Sequence, residues 1–356
     1  MKKPGLAVIV LSAGLLVCAG CQQAPAAAAP VMVNLQGHIP AGMNITAVDV
    51  SCDRTRALVD GFVKAPDPRD SNSFIYERHC FILDLRKGLV TRLADLVPGG
   101  KAPPWSATGS VALSPDGRHL ALVFAEPSRS RIQLIELATG KVAAELDKPG
   151  PTNATWAGRR LLLHWNCASQ VQAFNLETKK LADLPLFAVI HGADSSGSRL
   201  VASAGKDPTR KTSEEGRGQV IQAVITPEGR VLRQIDSGGD SCERQAPVIS
   251  PSGKYVCLIY LPKSWKEFSD VSTRVLSIDT GRIRDLRPWS YFTALTDNGE
   301  PIICSEDGMK IGRAQWEALV AGDRARAGKI VGNEFFYVAE PTWVFKSVPL
   351  PASPGR

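Results

Sequence analysis

Short apolar runs separated by tight polar turns recur along this chain. The stretch SVALSPDGRHLALVFAEPSRSRIQLIELATGKV, residues 110–142, shows the repeating unit most clearly. It predicts an approach strand, a tight turn, two apolar strands and a second tight turn. In Ser114-Pro115-Asp116-Gly117, proline presets φ, aspartate bonds to the local backbone, and glycine takes the left-handed conformation that a Cβ disfavours. Thr139-Gly140 closes the next hairpin for the same reason.

Echoes of this unit run from Val48–Phe62 and Cys80–Leu93 through Ala154–Trp165, Val171–Leu184, Ala193–Ser203 and Val220–Ile235. They continue through Val248–Tyr260, Arg274–Leu286, Phe292–Ser305 and Lys329–Ala339. First turns fall near Asp53, Asp116, Gly158, Ser196, Ser252, Asn298 and Gly332, a spacing of ~45 residues that is typical of a four-stranded propeller blade. Strands that are apolar at nearly every position, such as Leu161-Leu162-Leu163 and Val256–Leu261, suit sheets covered on both faces. The expected fold class is therefore all-β: a β-propeller of four-stranded blades, seven in number, or six if the last unit only closes the ring. Val31–Gln36 is expected to add an outer strand to the last blade and remove two open edges. Helical periodicity is confined to Ala314–Ala321.

The turns Ser114-Pro115-Asp116-Gly117-Arg118, Ser250-Pro251-Ser252-Gly253-Lys254 and Asp194-Ser195-Ser196-Gly197-Ser198 resemble the TolB-type, WD-like periplasmic propeller repeats. The resemblance covers nearly all the mature chain, with residues 41–350 expected to form the propeller domain, and implies a fold, not a function, because the repeated residues are turn residues.

In such a fold the turns inside the first and second hairpins of each blade lie on one face. The middle loops and blade-to-blade connections lie on the other. Here the first set is uniformly tight, and the long segments all fall in the second: Lys64–Ser73, Val97–Gly109, Gly205–Gly218, Asp236–Ala246 and Pro262–Ser272. Insertions confined to one face mark the binding face of a repeat protein. Its expected contact residues are Trp105, Trp165, Trp265, Phe268 and Trp289, with the bases Lys206, Arg210, Lys211, Lys263 and Lys266.

The N-terminus supplies an address. Lys2 and Lys3 precede the apolar run Leu6–Val17, which is too short to span a bilayer comfortably and ends in Val17-Cys18-Ala19-Gly20-Cys21. Small residues directly before a cysteine resemble a bacterial lipobox, although Cys18 stands where leucine is usual. The resemblance implies a signal peptide over 1–20, cleavage before Cys21 and lipidation of Cys21. Residues 21–40 are read as the lipidated cysteine and a flexible Ala/Pro tether, and 351–356 as a disordered tail. Gln22, where aspartate would favour inner-membrane retention, favours a periplasm-facing outer-membrane site if the cell is Gram-negative. The formal charge of +7 becomes +5 without Lys2 and Lys3. That suits anionic surfaces but is too diffuse for nucleic acid.

Searches for chemistry return little. There is no G-x-S-x-G elbow. Ser203-Ala204-Gly205-Lys206 matches S-x-x-K but ends a strand rather than opening a helix, and His191, Asp194 and Ser195 sit too close along one loop for a relay. The segment GDRARAGK, 322–329, is one residue too long for a phosphate loop. The histidines show no metal spacing, and Asp297-Asn298-Gly299-Glu300 and Glu306-Asp307-Gly308 read as turns rather than calcium loops. The tryptophan of a quinone-docking turn is replaced by Ala144 and Asp285. No cofactor, no metal and no catalytic residue is expected. Six cysteines follow Cys21, and Cys167–Cys242 is the disulfide expected first because both map to binding-face connections.

The expected function is a monomeric, membrane-anchored envelope scaffold that binds a protein or an anionic glycan without catalysis. The alternative is a propeller enzyme of hydrolase, lyase or lactonase type, acting on a glycan, lactone or peptide at the channel mouth.

Overall fold

The computed structural model describes residues 31–67, 70–97, 110–126, 128–150, 152–165, 169–211, 220–235, 246–260, 271–286, 291–305, 308–311, 327–340 and 342–350. The chain begins with β1 (Met32–Asn34). The first meander follows: β2 (Asn44–Val50), β3 (Arg56–Asp67), β4 (Asp70–Asp84) and β5 (Leu89–Arg92), then a single helical turn, α1 (Leu93–Leu96). The second meander is β6 (Ser110–Leu113), β7 (His119–Ala125), β8 (Arg129–Glu136) and β9 (Lys141–Pro149).

Next come β10 (Asn153–Ala157), β11 (Arg160–His164), β12 (Gln170–Asn175), β13 (Lys180–Ala193), β14 (Leu200–Ala204), β15 (Ile221–Ile225) and β16 (Val231–Ile235), joined in one sheet. The long β13 serves two meanders: its first half pairs with β12 and its second half with β14. The chain ends with β17 (Val248–Ile249), β18 (Tyr255–Tyr260), β19 (Ser272–Ser277) and β20 (Ile283–Leu286), then β21 (Tyr291–Leu295), β22 (Pro301–Ser305) and β23 (Gly308–Ile311). The last strands are β24 (Gly328–Val331), β25 (Glu334–Ala339) and β26 (Val344–Pro349).

The innermost strands form a closed ring. β2 packs on β6, β6 on β10, β10 on β13, β13 on β17, β17 on β21, β21 on β24, and β24 returns to β2. All pairings among the described strands are antiparallel, and apart from β1 on β26 each joins strands consecutive in the chain. This is a β-propeller. β1 pairs with β26 (Met32 opposite Lys346, Asn34 opposite Val344), so the start of the described chain completes the sheet made by its end. Residues 31–40 therefore depart from the flexible reading of 21–40. Val33 and Leu35 are buried against the Phe336 and Phe345 side of the last sheet, because an apolar strand next to an open sheet edge gains both ladder bonds and burial.

The repeated turns also lock one sheet to the next. Ser51, Ser114 and Ser250 are buried at equivalent positions, and each hydroxyl accepts the N–H of the residue five places on: Arg56 at 3.0 Å, His119 at 2.9 Å and Tyr255 at 3.1 Å. Asp194 does the same for Arg199 at 3.0 Å. The Cys52 N–H donates to Pro115 O at 2.7 Å, and the Ser195 N–H to Pro251 O at 2.9 Å, each across a sheet boundary. Gly197, at φ +72°, leaves room for the neighbouring turn: a Cβ there would sit 2.4 Å from the Ala157 carbonyl carbon. The interior strands are filled between sheets as their patterns predict, with Leu161, Leu162 and Leu163 all buried.

Candidate functional site

Within the segment Lys64–Ser73, read above as a long middle loop, residues 64–67 and 70–73 are strand. β3 and β4 run on past the rest of their sheet. β2 leaves β3 at Asn44 opposite Phe62, and β5 reaches β4 only from Phe81, opposite Arg92. Pairing nevertheless continues through Lys64 opposite Tyr76 and Pro66 opposite Phe74. The result is a two-stranded arm on the side of the middle loops. Pro66, which lacks an N–H, is tolerated because an isolated ribbon has no third strand to bond.

The period of two puts Phe62, Lys64, Pro66, Phe74, Tyr76 and Arg78 on one side of the ribbon. Phe62 and Tyr76 meet edge-on with ring centroids 5.1 Å apart. The Lys64 ammonium lies 3.8 Å from the centre of the Phe74 ring. Phe74 and Tyr76 are 55% and 48% exposed. An aromatic pair displayed this openly, with a cation stacked on it, is what binding surfaces use as an anchor.

The arm's root is fixed by charge. Arg78 donates Nε–H to Asp60 Oδ1 at 2.9 Å and Nη2–H to Oδ2 at 2.8 Å, and both side chains are only 5% exposed. The Cys80 thiol donates to the same carboxylate, 2.8 Å from Oδ1. Burial, reinforced by the Asp60 charge, pushes the Cys80 thiol well above its usual range, so it is a neutral hydrogen-bond donor rather than a nucleophile. For Arg78 burial opposes the charge, but the bidentate bond to Asp60 outweighs it and raises the guanidinium further.

The other expected contact residues are dispersed. Trp165 follows β11 on the middle-loop side and is half-buried. Lys206, Arg210 and Lys211 are exposed. Their loop folds back along the outer flank: Pro208 O accepts the Phe187 N–H at 2.7 Å, and a Cβ on Gly229 would meet Thr209 Cγ2 at 2.7 Å. Arg210 is paired with Asp207 at 3.2 Å. Trp105, Trp265, Phe268, Trp289, Lys263, Lys266, the anchor Cys21, the Cys167–Cys242 pair and the helical candidate at 314–321 lie outside the described residues. Phe74 and Tyr76 were not singled out above. The signal that finds them is the alternation Phe74-Ile75-Tyr76 facing Phe62-Val63-Lys64, masked by the turn-forming Pro-Asp-Pro beside it.

The ring of inner strands encloses a cavity of about 640 Å³. In its wall Lys329 Nζ lies 3.5 Å from Asp49 Oδ1. Next to it is a buried polar group that no local motif announces. The Ile190 N–H donates to His164 Nδ1 at 3.3 Å, so the proton of that ring sits on Nε2, which donates to Thr155 Oγ1 at 3.0 Å. His191 Nε2 lies 2.8 Å from Ser203 Oγ. Burial, with a smaller contribution from His191, pushes His164 down to about 3, and burial alone lowers His191. Among the described residues no three His, Cys, Asp or Glu side chains converge on a metal-sized site.

A stability consequence follows for His164. Above the ordinary histidine range neither the folded nor the unfolded chain protonates it. As pH falls below about 6.5 the unfolded chain gains a proton that the folded chain refuses until about 3. Stability is therefore lost on acidification, and this one group is expected to remove ~2 kcal/mol by pH 5. His164→Gln, which keeps a donor and an acceptor but does not titrate, is expected to flatten the acid limb by that amount in urea titrations at pH 8 and pH 5. An unchanged limb would show that His164 is not the group responsible.

No family model and no curated protein matches the chain. Solved structures do. U3-55K is 12% identical with a TM-score of 0.50, over 90% of this chain and 98% of its own. Kuenenia stuttgartiensis hydrazine synthase is 13% identical with a TM-score of 0.50, over 88% of this chain and 97% of that one. TolB from Acinetobacter baumannii is 13% identical with a TM-score of 0.44, and the match spans 69% of this chain and only 55% of TolB. Identities this low speak to the fold alone.

Proposed function

We propose that this protein is a lipid-anchored binding module of the bacterial cell envelope, a seven-bladed propeller that presents the β3–β4 arm to a protein or anionic-glycan partner. In this reading β2, β6, β10, the second half of β13, β17, β21 and β24 are the inner strands of the blades, and β1 is the outer strand of the last. The observation that carries the function is the arm: exposed Phe74 and Tyr76 with Lys64 stacked on Phe74, on a ribbon rooted by a buried ion pair. Rigid aromatic anchors lose little side-chain entropy on binding, so a few of them can dominate an interface. The lipobox-like Val17–Cys21 supports the anchor, with outer-membrane placement favoured by Gln22.

The register of β1 supports a defined orientation. It runs from the tight-turn side, where β26 ends at Pro349 opposite Glu334, toward the middle-loop side, where Asn34 faces Val344. β1 thus starts on the tight-turn side, and in this reading a membrane anchor on that side would hold the arm away from the bilayer.

Replacing Phe74 and Tyr76 together by serine is expected to cut partner capture in an envelope cross-linking pull-down by at least tenfold, with thermal stability unchanged. At ~1–2 kcal/mol per anchor the effect is well within measurement. Undiminished capture by the folded double variant would remove the arm from the interface. Cys21→Ala is expected to move the protein from the membrane to the soluble fraction.

A further inference from the structure

The cavity enclosed by the inner strands differs in chemistry from one side to the other. Ser51, Ser114, Asp194, Ser250 and Thr296 hold equivalent tight turns, and the residue two places before each lines the cavity. Lys329 and Thr155 stand two places before the ends of β24 and β10 and line it too. Around the ring from β24, this level carries Lys329, Asp49, Ala112 and Thr155, with His191 next to them on β13. The remaining arc carries Gly192, Val248 and Ala294, flanked by Ile249 and Leu295, and offers no polar side chain at this level. One arc is polar and the facing arc is apolar.

The polar arc has bonding capacity to spare. Asp49 Oδ1 accepts the Val50 N–H at 3.0 Å and faces Lys329 Nζ at 3.5 Å, which is long for a charge-assisted bond. Asp49 Oδ2 accepts no hydrogen bond among the described residues, and the Lys329 side chain is 50% exposed. Thr155 Oγ1 accepts from His164, which leaves its own O–H to donate. Burial keeps His164 and His191 neutral, so Lys329 is the one cationic group among the described residues lining the cavity. Asp194 and Asp297, at the tight-turn rim, bring the lining carboxylates to three. A simple carboxylate is repelled by that balance, so a ligand has to bring an ammonium as well.

We propose that the central cavity binds a small zwitterion with an apolar body, in size an amino acid to a short peptide. Its carboxylate is received by Lys329 and its ammonium by Asp49 Oδ2. The Thr155 hydroxyl donates to a carbonyl of the body, and the apolar part lies on the Val248 and Ala294 arc. The two charges of the ligand run opposite to those of the Lys329–Asp49 pair, so every charge keeps a partner as water is expelled. The apolar arc adds burial that a purely polar solute cannot gain. A cavity of about 640 Å³ falls within the ~300–1,000 Å³ range of small-molecule sites. Neither the β3–β4 arm nor the membrane anchor enters this reading.

The test is isothermal titration of the purified protein with the dipeptide leucylglycine and two blocked forms of it. Leucylglycine is expected to bind at least roughly tenfold more tightly than leucylglycinamide, which lacks the carboxylate, or N-acetylleucylglycine, which lacks the ammonium. Asp49→Asn and Lys329→Met are each expected to weaken leucylglycine binding by roughly the same factor, with the thermal transition retained. The blocked dipeptides act on the unaltered protein, so the comparison holds even where a variant fails to fold. Equal binding of the amide, or tighter binding by Lys329→Met, would identify an amine site and overturn the zwitterion assignment. Equal binding of the acetylated form would identify a carboxylate site and overturn it too. Undiminished leucylglycine binding by folded Asp49→Asn, or no binding at millimolar concentration, would remove the ligand from the cavity.

Discussion

Arg78→Met is expected to destabilise the protein by about 3–5 kcal/mol, because among the described residues it leaves the buried Asp60 carboxylate with only the Cys80 thiol to bond it. The double variant Asp60→Leu, Arg78→Met is expected to recover most of that loss, since two apolar side chains of similar volume remove the charge instead of stranding it. Urea unfolding of the two single variants and the double measures the coupling directly. A single-variant cost under about 1 kcal/mol would mean that the pair is solvated, contrary to its 5% exposure on both sides. The functional consequence is separable. Phe62, opposite Arg78, starts the ribbon, so a weakened root should reduce partner capture even at temperatures where the propeller stays folded.

Gly197→Ala is expected to cost about 3 kcal/mol. Roughly 1 kcal/mol comes from holding an L-residue at φ +72°. The rest comes from a methyl that meets the Ala157 carbonyl carbon at 2.4 Å and the Gly158 nitrogen at 2.6 Å, backbone atoms that cannot rotate aside. Gly88→Ala is the matched control: φ is +65°, but nothing lies within 4 Å of the added methyl, so only the conformational part is expected. Equal midpoints for the two variants in chemical denaturation would mean that the turn at Gly197 does not lock adjacent sheets.

The comparison of these two glycines shows how far reading along the chain can go. Both follow a turn signal, and both have positive φ as that signal implies. Only Gly197 is pressed against a neighbouring sheet, because the turn it packs on lies about forty residues earlier and is brought there by ring closure. The arm divides in the same way. Pro66-Asp67-Pro68 is a breaker signature, and it concealed the alternating face on either side of it. Aromatic and β-branched residues pair across strands wherever a partner is available, and the partner here was the same meander continued outward.

What the amino-acid order determined by itself is local and periodic. Hydroxyl, aspartate and glycine at fixed offsets set each tight turn, and alternation or unbroken apolar runs set each strand. A period near forty-five residues set an array that must close on itself, down to the edge strand at Met32–Asn34. These follow because turn geometry and side-chain period depend on a few consecutive residues. What only the tertiary structure decided is which separated side chains lose their water together. Asp60 with Arg78 and Cys80, His164 with Thr155, and His191 with Ser203 are instances. Desolvation and charge pairing act through space, and no local pattern records which strands the ring will bring within three ångströms of one another.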